Sequence, residues 1–181
     1  MKKQIFIING SGGVGKDAFI EILSENYWDI CTVGNYSSVS KVKRIAKEIG
    51  WNGSKTERDR KFLSDLKLLT TAYNDMSLND MKEVAKNFMY GENKLPRMMF
   101  LHIREPEEIA KAVDAFKEYN ARTILVRRDS VKHITSNMAD ENVYNYDYDI
   151  VINNNGTLED LKELAKVFLD DFMNDSLKNK Y

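Results

Sequence analysis

The stretch Gly10-Ser11-Gly12-Gly13-Val14-Gly15-Lys16 is the part of the chain best equipped for chemistry. It matches the first seven positions of the phosphate-binding-loop pattern: a glycine, four residues, then Gly-Lys. Glycines let the backbone curl until successive amide hydrogens face phosphate oxygens, and the helix that follows offers its positive end to the same anion. Lys16 can then reach the outer phosphates and offset charge in the transition state of phosphoryl transfer. Dinucleotide binding competes weakly, because a lysine directly after the last glycine has no role there.

The next position usually carries a Ser or Thr that ligates magnesium, and here it is Asp17. A carboxylate there could hold magnesium directly or through water, or act on the attacking oxygen of an acceptor. It could also do no more than complement the helix dipole. Gly10, Ser11, Gly12, Gly13, Val14, Gly15, Lys16 and Asp17 together form the candidate ATP site, with Asp17 as the candidate metal residue.

Such a loop works only between a strand and a helix. Residues 3–9 supply an apolar run suited to a strand buried on both faces of a parallel sheet. From Val14 to about residue 27, Ala18, Phe19, Ile22 and Leu23 recur at helical spacing. A weaker strand is predicted at 30–34, a helix at 37–50 ending at Gly50, and further helices at about 56–74 and 77–90. The apolar stripe of the third helix is read as Phe62, Leu66, Leu69 and Tyr73. Strands follow at 98–103, 123–126 and 150–152, with a helix at about 105–119 and a last one opening at Gly156-Thr157. This alternation predicts one α/β domain over 1–181, with a mainly parallel five-stranded sheet covered by helices on both faces. A helical insertion at about 51–95 and a polar, lid-like segment at about 128–147 complete the expected plan.

Composition narrows the function classes. Among 181 residues, 27 Lys and Arg oppose 28 Asp and Glu, a net charge of -1. Without a concentrated basic face the chain is a poor candidate for bulk nucleic-acid binding. Cys31 is alone, which rules out an internal disulfide and fits a cytoplasmic setting. The apolar run after Lys2-Lys3 is too short for a secretion signal, and nothing approaches the ~20 apolar residues of a membrane span. Two histidines and one cysteine make no zinc site, and His133 carries no motif.

With Gly15-Lys16-Asp17 in place, the chain resembles phage-type deoxynucleoside monophosphate kinases and the related phosphomevalonate kinases of animals. His102-Ile103-Arg104 with Glu107 or Glu108 stands where those kinases have Asp-Val-Arg before a helix that a glutamate opens. Val126-Arg127-Arg128 stands for their strand ending in arginine ahead of a lid. Asp149-Ile150-Val151-Ile152-Asn153-Asn154-Asn155-Gly156-Thr157 stands for their last strand. The resemblance spans most of the chain and is poor over about 51–95. It implies a nucleoside monophosphate kinase-like fold and transfer of the ATP γ-phosphate, with Mg2+, to a phosphorylated acceptor. It further implies that Arg104 binds the acceptor phosphate and that Arg127 or Arg128 reaches the transferred phosphate from the lid. Physics permits both roles, since arginine offers a planar fork of donors to phosphate oxygens. The alternative for Arg104 is a surface ion pair with Glu105, Glu107 or Glu108.

Lys43, Arg60 and Tyr36 are the further candidates for holding the acceptor. Lys43 lies where relatives place a lysine facing it, though it could also be a solvated helix residue. Arg60 lies in the insertion, within the charged run Glu57-Arg58-Asp59-Arg60-Lys61, and Tyr36 could stack on a base. Trp51, Tyr73 and Tyr90 are read as gap-fillers between the inserted helices and the sheet. His102 replaces the family's metal-binding aspartate, and a neutral imidazole is no substitute ligand for magnesium.

The expected acceptor is a (deoxy)nucleoside monophosphate, with phosphomevalonate and dephospho-coenzyme A as other candidates. A different class is also open: a nucleotide-binding sensor or interaction module without transferase activity, motivated by His102. A GTPase is disfavoured, because no Asn-Lys-x-Asp-type guanine signal is present. The inserted helices could close over substrate or pack against a second copy of the chain, as a homodimer.

Overall fold

The computed structural model describes residues 1–131 and 142–181. Five strands, β1 (Lys3–Asn9), β2 (Thr32–Ser37), β3 (Arg97–His102), β4 (Arg122–Arg127) and β5 (Ile150–Asn153), form one sheet in the order β2-β3-β1-β4-β5. Every pairing is parallel. The chain is therefore an α/β fold with a five-stranded parallel sheet, and β1 lies at its centre.

Among the described residues, six α-helices accompany the sheet: α1 (Lys16–Asn26), α2 (Ser40–Glu48), α3 (Glu57–Asn74), α4 (Met76–Met89), α5 (Pro106–Ala115) and α6 (Leu158–Met173). Alternation along β1 decides which face each helix covers. Phe6 and Ile8 point into one core with Phe19, Leu23, Phe168 and Phe172 of α1 and α6. Ile5 and Ile7 point into the other with Met81, Ala85, Ile109 and Ala112 of α4 and α5. Phe6 stacks on Phe100 at 5.2 Å between ring centroids, and Phe19 meets Phe168 edge-on at 5.3 Å. These rings brace the strand and the helix that bracket the phosphate loop. Each fully buried ring contributes about 1.5–3 kcal/mol by leaving water.

Caps set the helix starts. Thr56 and Asp59 form a capping box at α3, and Thr157 and Asp160 form another at α6. The helix predicted over 105–119 stops at Ala115 and continues as a 3-10 turn at Lys117–Tyr119.

The helix α3 departs most from the expected pattern. Leu69 is 69% and Tyr73 is 85% exposed, so they do not form the buried stripe of α3. The buried residue on that helix is Lys67. Tyr90 is also exposed and Trp51 half-buried, its indole donating to the Ser54 carbonyl at 3.0 Å, so neither Tyr73 nor Tyr90 fills a gap against the sheet. Among the described residues no helix is long and apolar enough to cross a membrane. Part of the lid-like stretch predicted at 128–147, including His133, lies outside the described residues.

Candidate active site

Gly10 to Gly15 connect the end of β1 to α1, and three of the glycines make this turn feasible. Gly10, Gly13 and Gly15 have φ of 144, 82 and 97°, a region where a Cβ is costly. A Cβ on Gly10 would sit 2.3 Å from the Val126 carbonyl oxygen, so the loop is pressed against the end of β4. Lys16 opens α1, and its ammonium donates to the carbonyls of Gly10 at 2.5 Å and Ser11 at 2.8 Å. The lysine thus closes over its own loop, at the place where phosphate oxygens would compete for it. The Ser11 hydroxyl is buried without a hydrogen-bond partner.

Asn9, the last residue of β1, ties this loop to the neighbouring strand. Its Oδ1 accepts from the Gly10 amide at 2.8 Å, and its Nδ2 donates to the Arg104 carbonyl at 3.1 Å and to the Tyr148 hydroxyl at 2.7 Å. Tyr148 in turn donates to the Val143 carbonyl at 2.8 Å. One buried amide therefore joins the phosphate loop, the Arg104 backbone and the approach to β5. No expectation from the sequence singled out Asn9; an amide at the junction of strand and loop was the only available signal.

Asp17 is 86% exposed on the first turn of α1, and His102 Nε2 stands 3.8 Å from its Oδ1. His102 ends β3, opposite Ile8 of β1 and Ser37 of β2 in the registers. Burial, the largest influence, holds its imidazole down to about 4; Asp17 opposes that, while Lys16 and Arg104 add to it. His102 is thus neutral near pH 7, and its buried Nε2 lacks a hydrogen-bond partner. A magnesium ion fits Asp17 together with phosphate oxygens, which is how this hard cation is commonly held. It does not fit His102, and among the described residues no group of three or more His, Cys, Asp or Glu side chains is arranged to hold a metal alone.

Arg104 follows β3 and is exposed. The next helix is anchored by a buried cation: Lys67 contacts Glu105 at 2.6 Å and Glu108 at 2.8 Å. Burial raises the Glu105 carboxyl, but the Lys67 ammonium outweighs it and holds the group below the usual range. For Glu108 burial prevails over Lys67, with the neighbouring Glu105 charge adding to the rise. One ammonium shared by two carboxylates thus pins α3 to the corner beside Arg104. Periodicity does not single out Lys67, which lies off the stripe of Phe62, Leu66, Leu69 and Tyr73 expected for this helix.

The remaining candidates fall into separate groups. Tyr36 donates to Asp80 at 2.7 Å, and Asp80, buried on α4, also meets Arg44 at 2.8 Å and Lys41 at 3.6 Å. Lys43, between those two cations in sequence, is exposed and has no described partner. Arg60 donates to the Lys55 carbonyl at 3.2 Å at the start of α3. Arg127 donates through Nε to Asn153 across the β4–β5 pair, and Arg128 donates to the Gly156 carbonyl at 3.2 Å and the Ser130 hydroxyl. Asp129 and Asn155 exchange two further hydrogen bonds, at 2.8 and 2.7 Å. The loops after β4 and β5 are therefore laced together beside the phosphate loop.

No family model and no curated protein matches the chain in sequence. Solved structures give similarities of shape. The APS kinase of Mycobacterium tuberculosis aligns at 10% identity and TM-score 0.49, covering 96% of this chain and 98% of its own. The tunicamycin resistance protein of Deinococcus radiodurans aligns at 13% and 0.47, covering 92% and 95%. The shikimate kinase of Aquifex aeolicus aligns at 13% and 0.44, covering 93% and 97%. At these levels of identity, a function for the chain has to come from its own residues.

Proposed function

We propose that this chain is a kinase that transfers the γ-phosphate of ATP to a phosphorylated small molecule, a (deoxy)nucleoside monophosphate foremost. The observation that carries the reading is Asn9, which couples the first residue of the phosphate loop to the backbone of Arg104. It sets a donor-phosphate cradle and a candidate acceptor-phosphate clamp side by side at the carboxyl ends of β1 and β3. Ligands of open parallel sheets bind at that edge.

The loop amides and the N-terminus of α1 would bind the triphosphate, and Lys16 would leave the Gly10 and Ser11 carbonyls for the β- and γ-phosphate oxygens. Arg104 would orient the acceptor phosphate so that one of its oxygens attacks the γ-phosphorus as the bond to the β,γ-bridging oxygen breaks and ADP departs. Asp17 is the residue that would hold a divalent cation, which when bound offsets phosphate charge. Arg127 or Arg128, at the end of β4, would reach the transferred group by leaving Asn153 or the Gly156 carbonyl. Tyr36, Lys41 and Arg44 flank the acceptor side; Lys43 and Arg60 are weaker candidates, because neither is joined to this group by a described contact.

His102 supports a second reading, a nucleotide-binding module without transfer, since a neutral imidazole stands where the resembled kinases have a carboxylate. ADP release from ATP across nucleoside and deoxynucleoside monophosphates, phosphomevalonate and dephospho-coenzyme A separates the two. Turnover that requires one acceptor and is lost in Lys16→Ala supports the kinase. Lys16-dependent ATP binding with no acceptor-dependent turnover supports the module.

A further inference from the structure

We propose that this chain takes a first-row transition ion, manganese(II) foremost, in preference to magnesium beside its bound triphosphate, with His102 Nε2 and Asp17 Oδ1 as the protein's ligands. The proposal rests on the nucleotide-binding reading above and extends it to the identity of the metal.

The geometry carries it. His102 Nε2 is buried without a hydrogen-bond partner, yet it points at the one carboxylate on the first turn of the phosphate-loop helix, 3.8 Å away. Two donors on one ion at bond lengths of about 2.0–2.2 Å stand about 3.0–3.5 Å apart. Asp17 is 86% exposed, so a small rotation of its side chain closes the difference. His102 is fixed by β3, whose register sets it between Ile8 and Ser37 at the mouth of the site.

Chemistry then selects the ion. Magnesium takes hard oxygen donors and resists replacing them, whereas imidazole nitrogen suits transition ions; with a single nitrogen among carboxylate and phosphate oxygens, the set is still oxygen-rich, which favours manganese among them. The neutral imidazole binds through the Nε2 lone pair when its proton sits on Nδ1. One carboxylate and one neutral nitrogen are a sparse set, so the phosphate oxygens supply the rest and tight binding of the ion depends on nucleotide. Lys16 would have to move off the loop carbonyls toward those phosphates, which makes room at the same mouth.

The test is electron spin echo spectroscopy of Mn2+ with β,γ-methylene-ATP on protein carrying 15N-histidine. Coupling to a directly bound imidazole nitrogen is expected; it should change with the isotope and vanish in His102→Asp and His102→Asn. His133→Gln, at the chain's other histidine, should leave it intact. By calorimetry with the same analogue, the preference for Mn2+ over Mg2+ should fall by roughly 10–100-fold in His102→Asp. His102→Asn should keep its affinity for the analogue without metal, which guards against a folding defect. Tight binding of analogue and Mn2+ with no histidine coupling, or an unchanged metal preference in His102→Asp, overturns the proposal while leaving the nucleotide reading standing. Failure of the wild-type chain to bind the analogue overturns both.

Discussion

A side-chain carbon on Gly15 would sit 2.3 Å from Nδ2 of Asn154, the same amide that donates to the Val14 carbonyl at 2.9 Å. The loop after β5 is thus the mould against which the phosphate loop is cast, although about 140 residues of sequence separate them. Gly15→Ala meets both this clash and a φ of 97°. It is expected to cost about 1–3 kcal/mol in urea unfolding and to weaken ATP binding. Asn154→Ala, which removes the clashing amide and its bond, should weaken ATP binding with a smaller loss of stability. Equal, negligible effects of both changes on ATP affinity would show that the loop holds its shape unaided.

Lys67 is the only charge bridging α3 to the start of α5 among the described contacts. Removing one partner of a buried ion pair leaves uncompensated charge, at about 3–5 kcal/mol for full burial. Glu105 and Glu108 are partly exposed, so Lys67→Met should cost less, about 2–3 kcal/mol, in chemical denaturation. Lys67→Met with Glu108→Leu should recover part of that loss; a double variant no better than the single one would mean that the pairing is not the source.

Arg104 is expected to act on the acceptor and not on ATP. An ionic hydrogen bond is worth about 1.5–3 kcal/mol, so Arg104→Ala should raise the acceptor KM by roughly 10–100-fold while the ATP KM stays near its original value. Arg104→Lys should restore only part of this, because an ammonium lacks the planar fork. A change confined to the ATP KM would move Arg104 to the donor side.

The Cys31 thiol is pushed up to about 12, chiefly by burial, against the lowering influence of the Met98 backbone and Arg97. At pH 8 the folded protein then holds a thiolate fraction of about 0.0001, against roughly a quarter for a free thiol. A disulfide-exchange reagent should label the denatured chain about a thousandfold faster than the native one or more. Fast labelling of the native protein would place Cys31 at the surface.

The contrast between the two ends of the molecule explains what could be read from sequence. Ile5-Phe6-Ile7-Ile8 before four glycines and a lysine leaves few folds open, because a fully buried strand and a positive-φ loop each demand particular residues. The region of α2 to α4 is less legible, since helix faces there are chosen by neighbours far along the chain. Lys67 is buried because Glu105 and Glu108 arrive beside it, and Leu69 and Tyr73 are consequently turned outward. Likewise Lys41 and Arg44, not Lys43, meet Asp80, which no spacing within α2 could show. His102 was visible as a departure, but its distance from Asp17 follows from the register of β3 against β1.

The central claim is tested most directly by following the fate of the γ-phosphate in a single turnover. Protein in excess over [γ-32P]ATP, with a divalent cation and each nucleoside monophosphate, phosphomevalonate and dephospho-coenzyme A in turn, should yield label on one acceptor in preference to inorganic phosphate, and none in Lys16→Ala. Label that appears only as inorganic phosphate, or ATP that remains intact with every acceptor offered, would contradict the assignment of this chain as a kinase for a phosphorylated small molecule.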